Sequence, residues 1–296
     1  MIHQRVCPSK RVVASTFVVI ALLALSAPVL AAGKEGTKCT KAGASLRVGG
    51  KKLVCKKSGK TLKWVATPAT SLVTWSQTSD GWRPSRTPPA CANPLRILLP
   101  VDITKATSIL YPGQYRGGDY KPHGGFGFDD NPDQAIDVVA PLTGMAVRGS
   151  RYLENGEIQY SIDVISSCGI MYRLDHLLTL TAKFQAHADA LPSAGESSAS
   201  TNFTPPFLVS EGEKLASAVG LTKPSKNVFV DFGVYDMRSF NQVSSDPAWI
   251  AQHPGNREMS GHAVCWFDLL DAQNEATVRS LPSRDGTNGK TSDYCD

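Results

Sequence analysis

The stretch KNVFVDFGVYD, from Lys226 to Asp236, alternates along its whole length. Val228, Val230, Phe232 and Val234 occupy one parity, and Asn227, Phe229, Asp231, Gly233 and Tyr235 occupy the other. Successive side chains of a strand point to opposite faces, so this pattern predicts a β-strand with one buried and one accessible face. Asp231 stands in the middle of it, among β-branched and aromatic neighbours. A carboxylate in such a place must face solvent, a cationic partner or a metal. Arg173 and Arg238 are the cationic partners the sequence offers.

Short strands surround this stretch. Ala135 to Val139 ends just ahead of Pro141, and Gly144 to Tyr152 follows. Glu154-Asn155-Gly156 carries a tight-turn signal. Glu157 to Ser166 places Ile158, Tyr160, Ile162 and Val164 on one face, Ile170 to Leu177 forms the next strand, and Val209 to Val219 reads as strand–turn–strand about Gly212. Leu95 to Ile103 reads as a strand or extended segment. Gly113 to Asp130 (GQYRGGDYKPHGGFGFDD) is too rich in glycine for a helix and reads as an ordered loop. Thr181 to Leu191 is the one helical stretch expected. Many short strands at close spacing predict an all-β sandwich or barrel.

The ends of the chain carry different information. Arg5, Lys10 and Arg11 precede an apolar run from Val12 to Leu30, and Ala31-Ala32-Gly33 offers a small-residue cleavage site. Residues 1–32 therefore read as a signal peptide, with a secreted or cell-envelope destination and no stable membrane insertion after cleavage. Six cysteines follow, an even number suited to three disulfides in an exported chain. Cys39 and Cys55 lie close together and are expected to pair; the other four leave three connectivities open.

Residues 34–63 hold ten Lys/Arg and one Glu, whereas the chain beyond them carries an excess of acid. Two differently charged units are implied. Residues 34–66 form a small basic module, with Gly49-Gly50 as a hairpin turn and a disulfide as staple for a core too small to hold alone. Its lysines suit an anionic cell-wall polymer. Residues 67–94, rich in Thr, Ser and Pro, read as a linker, with Trp75 and Trp82 capping the main domain of residues 95–296. No nucleotide-binding glycine loop is present, and no nucleic-acid partner is expected.

Four patterns recur in a fixed order along the main domain: Asp137-Val-Val-Ala-Pro141 before Gly144-Met-Ala-Val147, then Leu174-Asp-His176-Leu177, then Val209-Ser-Glu-Gly212 leading to Gly220, and finally the strand that holds Asp231. This order resembles the lysostaphin/LytM-type metallopeptidases, over roughly residues 110 to 271. The resemblance implies a duplicated hybrid motif, a β-sandwich or barrel. It also implies a zinc ion that activates water to cleave peptide cross-bridges of peptidoglycan. In that family the ligands are the His and Asp of a His-x-x-x-Asp motif and the second His of a His-x-His strand. Here Asp137 matches the ligand Asp, Asp133 stands where the family has His, and Phe229 and Asp231 replace the His-x-His pair. His176 matches the histidine that helps stabilise the transition state, with Leu174 in place of the family's Tyr.

An all-carboxylate set of Asp133, Asp137 and Asp231 would be a hard oxygen site, poorly suited to zinc. If Lys121 to Gln134 is an insertion, His123 returns to the ligand position, and His123, Asp137 and Asp231 become the expected metal ligands beside a catalytic His176. Three readings follow: a divergent, weakly active or inactive LytM-like domain that binds peptidoglycan or regulates wall enzymes; an active zinc endopeptidase; and a structural envelope protein. His187, His253 and His262 carry no pattern and are expected at surface or structural positions. No Gly-x-Ser-x-Gly elbow supports a serine hydrolase.

Overall fold

The computed structural model describes residues 34–48, 51–59, 61–66, 72–131, 133–253 and 257–296. The signal segment 1–32, the Gly49-Gly50 turn and residues 67–71 of the expected linker lie outside the described residues. The chain divides into two compact units, one up to Thr70 and one from Ser71 onward.

The first unit is a three-stranded antiparallel sheet of β1 (Ser45–Val48), β2 (Lys51–Ser58) and β3 (Thr61–Ala66). Among the described residues its buried side chains are Leu53 and Cys55, and Cys55 is bonded to Cys39. So small an apolar core gives the disulfide a real share in holding the unit together.

The second unit begins earlier than the composition suggested. β4 (Trp75–Thr78) and β5 (Gly81–Pro84) form a hairpin whose Trp75 and Trp82 are buried against Val147, Ile165, Met171 and Tyr235. Cys91 is bonded to Cys168 at the turn before the strand that carries His176. Residues 72–94 are therefore part of the folded unit and not a linker. The Pro/Ser/Thr content misled because two tryptophans supply the packing.

The remaining strands are β6 (Ser108–Leu110), β7 (Gln114–Arg116), β8 (Asp119–Lys121), β9 (Gly124–Gly127), β10 (Val138–Val139), β11 (Gly144–Glu154), β12 (Glu157–Ile165), β13 (Ile170–Leu180), β14 (Thr201–Val209), β15 (Lys214–Val219) and β16 (Phe229–Asp236). The main sheet runs β14-β11-β12-β13-β16-β9-β6, and β15 pairs with both β13 and β10. Every strand pairing is antiparallel. The unit is mostly β, as the alternation predicted. Asn155 and Gly156 join β11 to β12 with φ of 51° and 75°, the left-handed pair that a two-residue hairpin turn requires.

The glycine-rich segment is the main departure from expectation. It holds the β7–β8 hairpin and the core strand β9, which lies between β16 and β6. Leu95 to Ile103, by contrast, joins no ladder. It runs extended, with Ile97 N–H bonded to the Leu269 carbonyl and Leu98 N–H to the Pro141 carbonyl.

β16 behaves as its sequence predicts. Val230, Phe232 and Val234 are fully buried in the larger core, where Phe232 meets Trp266 at 4.9 Å and Phe126 at 6.5 Å. Helix α1 (Ala182–Ala188) falls within the expected helical stretch. Three further helices, α2 (Pro247–Gln252), α3 (Arg257–Ser260) and α4 (Ala272–Ser280), were not expected. α4 did carry a signal: Asp271 caps it by accepting from Asn274 N–H, and Glu275 pairs with Arg279 one turn on. Cys265 is bonded to Cys295, tying the C-terminus to this core. No described helix is long and apolar enough to cross a membrane.

The opposite face of the sheet is divided. At one end the β4–β5 hairpin and Met259 of α3 cover Met171 and Tyr235. Toward the other end the same parity of β16 presents Phe229 and Asp231, which are only partly buried.

Candidate functional site

Register decides what meets Asp231. On β16 it lies opposite Gly125 of β9 on one side and Asp175 of β13 on the other. Gly233 lies opposite Arg173. His123 precedes β9 and reaches over Gly233: a Cβ at Gly233 would stand 2.9 Å from His123 Cβ and would also collide with the Tyr235 hydroxyl. Glycine at 233 is thus the condition for His123 to lie over the strand. Nε2 of His123 donates to Asp231 Oδ2 at 3.0 Å. Its backbone carbonyl accepts from Arg116 Nη2 at 2.8 Å, which fixes the turn that carries it.

His176 arrives by another route. Tyr160 pairs with Leu177 and Ile162 with Leu174, so β13 has one residue more than β12 across this step. That is a β-bulge, and His176 stands in it with φ of 61°. Bulges redirect a side chain, and a non-glycine residue in the left-handed region stores strain that the surrounding contacts must hold. Asp175 Oδ1 accepts from His176 N–H at 2.8 Å and Gly220 N–H bonds the His176 carbonyl at 2.8 Å, so both backbone groups are satisfied. β13 changes partner from β16 to β15 at this point. The ring of His176 packs 4.4 Å from Phe229. Its Nε2 lies 3.7 Å from Asp231 Oδ2, and its Nδ1 lies 3.5 Å from both Glu154 Oε2 and the Tyr152 hydroxyl.

His123, Tyr152, Glu154, Asp175, His176 and Asp231 line one cleft of about 540 Å³, together with Tyr115, Lys121, Arg173 and His253. Compared with models of known protein families and with curated proteins, the chain matches none. The chemistry of the site has to be read from its own geometry.

Asp231 is the electrostatic centre. Burial pushes its carboxyl upward, but His123, then its hydrogen bond, then His176 and Arg116 outweigh burial and hold it well below the usual carboxylate range. Asp231 is therefore ionised at neutral pH and accepts only. Its Oδ1 is buried with no hydrogen-bond partner among the described residues. Tyr152 donates to Asp175 Oδ1 at 2.7 Å, and burial followed by Asp175 raises its phenol, which stays protonated.

A folded-state carboxyl held below its ordinary value of 3.8 contributes stability that is complete above that pH. The contribution is lost as pH falls through the folded-state value. Urea denaturation from about pH 6 down to about pH 2 should therefore show the gap between wild type and Asp231→Asn narrowing on acidification. Other acids that titrate in this range are common to both proteins and cancel in the difference.

Of the sequence-predicted residues, the fold brings His123, His176 and Asp231 together. Asp137 is not with them. It precedes β10, is largely exposed, and pairs with Lys214 at 2.5 Å on β15. The expected ligand set of His123, Asp137 and Asp231 does not converge. Asp133 accepts from Ala135 N–H in a local turn at 2.9 Å. Among the described residues no group of three or more His, Cys, Asp or Glu is arranged to hold a metal ion. Neither arginine offered by sequence pairs with Asp231: Arg173 bonds Asp163, and Arg238 bonds Asp236.

Several cleft residues carried no sequence signal. His253, expected at a surface or structural position, is buried beside Tyr120 and Trp249 at ring distances of 4.3 Å, and it also lines the cleft. Arg173 and Asp175 share a face with Asp231 only because the antiparallel register sets them opposite β16. Among the described residues no serine, threonine or cysteine is hydrogen-bonded to His123 or His176. The arrangement sets two imidazoles, which can each donate and accept hydrogen bonds, about one fixed carboxylate.

Proposed function

We propose that the chain is an exported cell-envelope protein whose second unit is a divergent relative of the LytM-type peptidases, built on the duplicated hybrid motif, and that its cleft binds peptidoglycan with little or no zinc-peptidase activity. The convergence of His123, His176 and Asp231 in one cleft carries this reading. They stand where the order of motifs along the chain leads one to seek that family's groove: a histidine entering the strand beside the Asp231 strand, and His176 on the strand at its other edge.

Two features speak for binding over hydrolysis. If His123 takes the place of the histidine in His-x-x-x-Asp, the residue four positions on is Gly127, and the Arg284 guanidinium lies against its Cα. A cation then stands where the family has a ligand carboxylate. Asp137, which matched that carboxylate by sequence, is engaged with Lys214. Zinc sites use three protein ligands and an open position, and this donor set does not supply them in that form.

Co-sedimentation of the purified chain with peptidoglycan sacculi tests the reading. Wild type is expected in the pellet, in the presence or absence of chelator. His176→Ala and His123→Ala are each expected to weaken binding about tenfold, the loss of one good hydrogen bond to a charged partner. Stoichiometric zinc in the purified protein with chelator-sensitive release of wall peptides would establish the active peptidase instead. Absence from the pellet would leave a structural envelope role.

A further inference from the structure

The wall of the cleft holds a cation prepared for a ligand. Arg173 projects from β13 beside Asp175, opposite Gly233, and lines the cleft. Its Nε donates to Asp163 Oδ1 at 2.7 Å and its Nη2 to Asp163 Oδ2 at 2.8 Å, a two-pronged contact with a fully buried carboxylate. Nη2 also donates to Ser200 Oγ at 3.1 Å. A guanidinium has five N–H donors, and these contacts use three. The two on Nη1 have no acceptor among the described residues. Asp163 is shared with Arg148, whose Nε donates to Oδ2 at 2.5 Å, so its charge is not reserved for Arg173.

A guanidinium locked by its inner edge and open at its outer edge is a pre-organised anion receptor, because the ordering of a long flexible side chain has already been met by folding. Ser198 and His176 line the same cleft. Asp175 and Glu154 line the same cleft and give it carboxylates. They suit the N–H groups of a peptide and disfavour a polyanion.

We infer that Arg173 is a specificity-determining residue that binds the free C-terminal carboxylate of a peptide ligand through Nη1. This rests on the peptidoglycan-binding reading and narrows it to wall peptides that end in a free acid. The terminal carboxylate takes two N–H bonds from one nitrogen, or one from Nη1 with a second from His176, while backbone amides of the peptide face Asp175 and Glu154.

The test uses the full chain and two tetrapeptides, Ala-Gly-Lys-Ala with a free or an amidated C-terminus, titrated calorimetrically. The free acid is expected to bind roughly tenfold or more tightly than the amide, because a charge-assisted bond is exchanged for a neutral one. Arg173→Lys should abolish most of this preference, since a point charge cannot be held by Asp163 and present a second edge. Lys121→Ala, which alters the other cation of the cleft, should retain it. The wild-type comparison stands even if Arg173→Lys fails to fold. Equal binding of both peptides, or a preference lost in Lys121→Ala, overturns the role of Arg173 and leaves peptidoglycan binding intact. Failure of both peptides with sacculi still pelleting the protein has the same meaning. Failure of both peptides and of sacculi removes the underlying reading as well.

Discussion

Replacing Asp163 by alanine is expected to lower the stability of the second unit by about 3–5 kcal/mol, seen as a lower urea midpoint with little change in slope. Asp163 has no exposed side-chain surface and lies between two guanidiniums, Arg148 and Arg173. Burial pushes its carboxyl upward, but Arg173 and then Arg148 outweigh burial and hold it below its ordinary value. Removing it leaves two cations facing each other in a site where Arg148 is almost fully covered. Glu258 bonds Arg148 at 2.9 Å and offsets part of that charge, but it is about one-third exposed and reaches only the outer edge of Arg148. Truncating one member of a buried pair costs more than the pair contributes, because the survivors stay desolvated. Asp268→Ala offers the contrast. Asp268 pairs with Arg279 at 2.5 Å but is more than half exposed, and its loss should cost no more than about 1 kcal/mol. The Asp163 variant should also lose any discrimination between peptide acid and amide, because Arg173 is no longer held.

The Asp163 cluster shows where sequence reading stops. Asp163, Arg148 and Arg173 lie on three different strands, and nothing local distinguishes Asp163 from any polar residue of an alternating strand. Only register, set by the hairpin turn at Asn155-Gly156 on one side and by the turn from Ser166 to Gly169 on the other, places the three side chains together. The same limit applies to the cleft. The buried parity of β16 was legible, because Val230, Phe232 and Val234 face one core and period-two alternation has one physical cause. Asp231 was legible as an unusual acid on a strand, and His176 only through the order of motifs. His123 was legible only as a histidine among glycines. Asp137 misled because it precedes a strand ended by proline in the right motif order, yet it belongs to the β10–β15 pair beyond β13 and answers to Lys214. Turn residues and alternation are local signals; the identity of the neighbouring strand is not.

The glycine-rich segment gives the second large effect. Gly125→Ala is expected to destabilise the second unit by about 3 kcal/mol, the upper end of the range for overpacking a well-filled site. Glycine density there suggested a loop, since glycine weakens a strand by its entropy and gives it no side chain to pack. In the fold the reason for glycine is close approach. A Cβ at position 125 would stand 2.5 Å from the Val230 carbonyl oxygen and 3.0 Å from Asp231 Oδ1. The first contact is with backbone, which can yield only by shifting β9 away from β16. Gly195→Ala meets nothing within 4 Å, and should stay within about 0.5 kcal/mol of wild type. The cost at 125 has a functional counterpart. Shifting β9 carries His123 with it, since His123 enters the strand two residues earlier, so the bond from Nε2 to Asp231 Oδ2 should lengthen or break. Co-sedimentation with sacculi should then weaken in Gly125→Ala even at temperatures where the variant remains folded. Serine at 125 should be as harmful as alanine, because the collision is made by Cβ. A serine variant that kept both stability and binding would show that β9 and β16 are not pressed together by register, and that His123 does not depend on β9 for its place over Gly233.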